Sequence, residues 1–388
     1  MSRLRRKMVT LAAGVERNFD DMMLALRQRL NADDKLQIVA YRSYGTLNRL
    51  YVKGRVLKDK GIRAATDKDT IWNNLVSMYK RFESDEVPNA LLTVTFNEKV
   101  YNVSTDEEGF FKLNLQTETP GNWDDMWHEV QIELISAPYS FTPGIKVTAD
   151  ILIPPTDAEY GIISDIDDTV VKTSATSLLA MSRITFLNNA HTRLPFAGVS
   201  EFYRSLQLGR NGKRNNPFFY VSSSPWNLYD LLIDFLDLNS IVEGPLLLRD
   251  YGLDEFPEKA SHTSHKLKEI ENILIAYPKL NFVLVGDSGQ DDPKIYSEIV
   301  TKFPDRILAI YIRDVQVADK ERIAVEVSKG LGTTNVEMII VDNTVEAGEH
   351  ALKIGLIYKE AIPEIIVDKK KDKGELPGKE PIEQRGVS

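Results

Sequence analysis

Cysteine is absent from these 388 residues. That excludes disulfides, thiolate nucleophiles and cysteine-based zinc sites, and it fits a reducing cytoplasm. No apolar stretch approaches the roughly 20 residues that a membrane-spanning helix needs. A basic surplus is missing as well: 48 Lys and Arg stand against 57 Asp and Glu, a net charge of -9. A general nucleic-acid binder needs a basic face for the phosphate backbone, so nucleic acid is not an expected partner. What remains is a soluble globular chain, 43% hydrophobic and long enough for two or three domains.

Residues 1–34 read as an amphipathic helix. Leu4, Met8, Leu11, Val15, Phe19, Met22, Leu26 and Leu30 fall at spacings of three and four. A basic front of Arg3, Arg5, Arg6 and Lys7 gives this stripe two uses: docking on its own protein, which is the simpler one, or lying on an anionic membrane surface. A signal peptide also starts this way, but here the apolar patch is brief and runs straight into charge. From 35 to 155 the period drops to two. Val130, Ile132 and Leu134, and then Ile145, Val147, Ala149, Ile151 and Ile153, each mark one face of a strand, so a small β-sandwich-like domain is expected, with one helical insertion, "DTIWNNLVSMYKRF". Pro154 and Pro155 close it. From 156 to 365, continuous apolar runs ("YGIIS", "PFFYVS", "LNFVLVG", "RILAIYI", "VEMIIV") alternate with amphipathic helices, the pattern of a parallel sheet covered on both faces. Residues 366–388 are charged and aperiodic, the composition of a disordered tail.

In such a sheet, ligands bind beyond the carboxyl ends of the strands. Four of these positions carry chemistry. "SDIDDT" crowds Asp165, Asp167 and Asp168 behind one apolar run. "YVSSSPW" places Ser222 behind another, with Ser224 suited to cap the next helix and Pro225 to its first turn. Lys266 stands at a helix start, where the helix dipole disfavours a cation unless an anion is near. "VGDSGQDDP" adds Asp287, followed by Asp291 and Asp292. Turns, caps and solvated charge account for the single fragments about as well, though capping explains Ser224 and not Ser222; the set in this order is more specific.

The order resembles that of the haloacid dehalogenase superfamily of phosphotransferases. More narrowly, "SDIDDTVVKT", "FYVSSSPWNLYDLL", "GPLLLRDYG", "LVGDSGQDDPKIY" and "RILAIYIRDV" are similar to the phosphatidate phosphatase family typified by the fungal actin-patch protein. The resemblance covers roughly 155–355. It departs from the family at Lys294, where Glu is common, and at the doubled Asp291–Asp292, of which Asp292 fits the family spacing better.

The resemblance implies an α/β fold: a haloacid dehalogenase-like doubly wound parallel sheet with little or no cap. It implies Mg²⁺ as cofactor, bound by the carboxylates of Asp165 and Asp287 and the backbone carbonyl of Asp167, with Asp292 as a further acid of the metal site. It makes Asp165 the nucleophile and Asp167 the general acid and base, with Ser222 and Lys266 holding phosphoryl oxygens. Asp168 and Thr169 are read as turn neighbours. Arg249, His191 and Arg193 are candidates for a head group, though surface salt bridges explain them equally well, and Trp226 is read as helix packing. The expected substrate is phosphatidate or another bulky phosphomonoester, met in the cytoplasm or at a membrane surface. The alternatives are a soluble phosphate ester, a phosphoprotein, or a silent phosphatase fold serving as a scaffold.

Overall fold

The computed structural model describes residues 35–46, 48–59, 86–116, 125–166, 197–249, 262–289, 291–315, 318–373 and 375. The N-terminal stripe, the 69–82 insertion and the stretch from Asp167 to Pro195 containing Asp168, Thr169, His191 and Arg193 lie outside these residues.

Among the described residues, eight strands form the first sheet: β1 (Lys35–Ala40), β2 (Ser43–Thr46), β3 (Arg49–Asp59), β4 (Leu91–Phe96), β5 (Lys99–Ser104), β6 (Phe110–Gln116), β7 (Trp127–Ser136) and β8 (Lys146–Leu152). The alternation led to the expectation of a small β-sandwich-like domain; the strands are joined by hydrogen bonds into one sheet, in which short β2 pairs in parallel with distant β8, Ser43 opposite Ile151. A pairing more than 100 residues apart in sequence leaves no local pattern to read. Long β3 is shared, meeting β6 over Arg49–Arg55 and β1 over Gly54–Asp59. Its inner face supplies Leu50, Val52 and Val56 to a core with Val94, Phe111, Val130, Ile132 and Ile151. Gly54 keeps that face small where the Phe111 ring presses against the backbone, so a β-carbon there would collide.

The second sheet is wholly parallel, ordered β11-β10-β9-β12-β13-β14, with β9 Gly161–Asp165, β10 Phe218–Pro225, β11 Leu246–Arg249, β12 Phe282–Asp287, β13 Ile307–Arg313 and β14 Glu337–Val341. Alternate strand residues face two cores. Ile162, Tyr220 and Val283 lie under helices α1 (Val199–Leu208), α2 (Tyr229–Leu238), α6 (Thr344–Lys353) and α7 (Ala361–Asp372). Ile163, Phe219 and Leu284 lie under α3 (His262–Ala276), α4 (Asp292–Lys302) and α5 (Ala318–Gly330). Burial on both sides is why these strands are continuous apolar runs. Chain order reverses at β9: the chain passes outward through β10 to β11, then crosses back to β12. That switch opens a crevice at the strand ends.

Helix α7 corrects one boundary. The tail expected from residue 366 is helical through Asp372, because Ala361 and Ile365 bury against α1 and α6 while the lysines of the same segment stay at the surface. The sheets also share cores: Tyr44 and Leu152 of the first pack with Phe219 and Tyr277 of the second, and the Tyr277 hydroxyl donates to Gly45 O at 2.9 Å.

Candidate active site

Register brings the reactive residues together. Asp165, the last residue of β9, lies opposite Val221 of β10, so Ser222 comes next along the crevice. On the other side Ser164 is opposite Val285, which carries Asp287 just past the end of β9. Helix α3 then supplies Lys266, whose Nζ is 2.8 Å from Asp165 Oδ1 and 3.1 Å from Asp292 Oδ1. The other Asp292 oxygen accepts the backbone N–H of Asp287 at 3.2 Å. That contact requires Gly286, since a β-carbon there would sit 2.5 Å from Asp292 Oδ2. Asp165 Oδ1 also accepts the Ile166 N–H at 2.8 Å, and Asp287 Oδ1 accepts that of Gly289 at 2.7 Å.

One oxygen each from Asp165, Asp287 and Asp292 falls within 4.8 Å of the others. Lys266, Asp287 and Asp292 are buried, at 3%, 7% and 0% exposure. Three carboxyls around one ammonium is a surplus of acid in a place with little water. A hard divalent cation with oxygen preference relieves that surplus, so the donor set suits Mg²⁺ or a similar ion. Of the two neighbouring acids, Asp292 enters the cluster, whereas Asp291 is half exposed and faces Lys294 at 3.8 Å.

Behind the cluster lies a layer that the sequence did not disclose. The Tyr203 hydroxyl is 2.6 Å from Ser164 Oγ, which donates to the Asp165 carbonyl at 2.9 Å. Tyr296 donates to Val285 O at 2.8 Å. Burial raises both phenols above their ordinary range, and the nearby acids, Asp165 for Tyr203 and Asp292, Asp165 and Asp287 for Tyr296, raise them further. Both therefore stay neutral donors. The available signal was a serine inside an otherwise apolar strand, Ser164.

Ser222 is fully buried and its Oγ accepts the Ser224 N–H at 3.0 Å. Ser224 does not cap the next helix, as expected from sequence, because a 3₁₀ turn at Trp226–Leu228 intervenes before α2. Arg249 ends β11 opposite Pro225 and is 4% exposed, at the same end of the sheet. Asp167 lies outside the described residues.

Residues 160–314 match the family model described as the catalytic domain of phosphatidate phosphatase APP1. Phosphatidate phosphatase APP1 of Saccharomyces cerevisiae is 37% identical over 155 residues, 39% of this chain and 25% of the yeast protein. Uncharacterized protein C29B5.04c of Schizosaccharomyces pombe is 28% identical over 228 residues, 57% of this chain and 36% of that protein. The chain thus spans a quarter to about a third of these relatives' length. A carbohydrate acetylesterase structure from Xanthomonas citri aligns over 79% of this chain and 68% of its own, with 11% identity and a TM-score of 0.29. At that score the likeness bears on neither fold nor function.

Proposed function

Because residues 160–314 belong to the phosphatidate phosphatase family, we propose that this chain is a Mg²⁺-dependent phosphoric monoester hydrolase acting on phosphatidate or a related lipid phosphate. The observation that carries the reading is the buried Asp165–Lys266–Asp292–Asp287 cluster at the reversal point of the parallel sheet, inside the matched segment. In this reading the domain is haloacid dehalogenase-like and doubly wound. Asp165 and Asp287, with the backbone carbonyl of Asp167, hold the metal, and Asp292 supports it from beside Lys266. When bound, the ion neutralises charge on the phosphoryl oxygens.

Lys266 and the Ile166 N–H both bind Asp165 Oδ1, which fixes the carboxylate's rotation; in this reading Oδ2 is the attacking oxygen. That oxygen forms a bond to phosphorus as the ester P–O bond breaks, giving an aspartyl-phosphate. Asp167 protonates the departing alkoxide, then takes a proton from the water that attacks the acyl phosphate and releases inorganic phosphate. Acid–base help of this kind is worth about 10²–10⁴-fold. Ser222 and Lys266 steady the phosphoryl oxygens, and Arg249 faces the head group.

No helix among the described residues is long and apolar enough to cross a membrane; contact with a lipid surface, through residues 1–34, belongs to the proposal. The test is phosphate release from phosphatidate, lysophosphatidate, sugar phosphates and phosphopeptides, with Mg²⁺ and with chelator. Phosphatidate should lead and chelator should stop release. A soluble ester or phosphopeptide leading by about 10-fold would replace the lipid, and no release from any ester would favour a scaffold.

A further inference from the structure

Two cations stand on one face of β3, and both are buried. Lys53 and Arg55 are each 6% exposed, two residues apart and so on the same side of the strand. Burying a cation costs free energy unless it is matched. Arg55 is matched three ways: Nε donates to Glu108 O at 2.8 Å, Nη2 to Glu86 Oε1 at 2.9 Å, and Nη1 to Asn227 Oδ1 at 2.9 Å. Lys53 Nζ lies 3.9 Å from the Trp226 ring centre and 4.6 Å from that of Phe110, close enough for cation–π attraction. Tyr41 stacks on Trp226 at 4.3 Å.

Trp226 and Asn227 form the turn immediately after Ser222–Pro225.

We infer that the antiparallel sheet is a working part of the site: Lys53 and Arg55 are positioning residues that grip the Trp226–Asn227 turn, and so hold Ser222 where a phosphoryl group is bound. The inference rests on the phosphatase reading for its consequence, but the grip itself can be measured without turnover.

Lys53→Met keeps the stem and removes the charge, while Lys53→Arg keeps a cation over the ring. Three quantities decide the matter in the full chain: hydrogen exchange of residues 222–228, kcat and KM on a soluble aryl phosphate, and inhibition by inorganic phosphate. Lys53→Met should speed exchange in 222–228. It should lower kcat more than it raises KM, and weaken phosphate inhibition on the order of 10-fold, since small misplacements of binding groups are costly. Lys53→Arg should restore most of all three. Asn227→Ala, which cuts the Arg55 contact from the more exposed side, should act in the same direction and serves if Lys53→Met does not fold. Unchanged exchange overturns the grip, whether or not the wild type is active. Faster exchange with unchanged kcat and phosphate inhibition overturns the positioning role. A wild type inactive on every ester sinks the phosphatase reading, and exchange then still decides the grip.

Discussion

The two sheets of this chain use burial differently. In the parallel sheet β9 and β12 are covered on both faces, so polarity gathers toward their carboxyl ends, at Ser164 and Asp165 and at Asp287. In the antiparallel sheet β7 alternates, with Val130, Ile132 and Leu134 inward and Glu129 and Gln131 outward. A polar residue in the first setting calls for a reason; in the second, half the residues are polar simply because that face meets water. Function is therefore conspicuous in one sheet and concealed in the other. Lys53 and Arg55 look like the wet side of β3, yet the turn after β10 covers them.

Substitutions can break or sharpen this contrast. The larger effect is expected at Asp292. Its two oxygens accept from two donors, Lys266 and the Asp287 N–H. In Asp292→Asn one acceptor becomes an N–H that faces a donor, so Lys266 or Asp287 must move. We expect kcat/KM to fall about 10–100-fold and the Mg²⁺ requirement to rise, as when a residue supporting a metal ligand is lost. A loss within about threefold would mean that the cluster does not depend on this carboxylate.

The smaller effect on turnover is expected in the antiparallel core. Ile132 is fully buried there, away from the cation-bearing face. Ile132→Ala should cost about 2–5 kcal/mol, read as a lower denaturation midpoint. Turnover per folded molecule should stay at the wild-type level. If turnover falls with stability, the core of that sheet and its cation-bearing face are not separable, and the contrast between the two faces fails.

The same contrast explains what could be read in advance. Strands β9, β10, β12, β13 and β14 were visible as apolar runs; strand ends pointed to Asp165, Ser222 and Asp287 and a helix start to Lys266 before any geometry was known. Strand β11 escaped as a strand because it is only four residues, Leu246–Arg249. Helix α5 escaped because "ADKERIAVEVSKG" is rich in charge and, among its described side chains, only Ala324 is fully buried. Helix α7 was taken for tail because Lys369, Lys370 and Lys371 outweigh its short apolar stripe. The Ser164–Tyr203 contact joins residues 39 apart, and the Lys53–Trp226 contact joins two sheets. Neither leaves a period or spacing in the chain. Local patterns report which face is covered by the segment's own domain, not which face another domain will cover.

The most direct measurement is capture of the phosphoryl group on the chain. The protein would be mixed with a phosphomonoester and Mg²⁺, quenched in acid and digested, and its peptides weighed. The account predicts one phosphoryl group on the peptide carrying Asp165, and none in a folded Asp165→Asn variant, which should also lose turnover. Wild-type turnover in Asp165→Asn, or a phosphoryl group found on another residue, would contradict it.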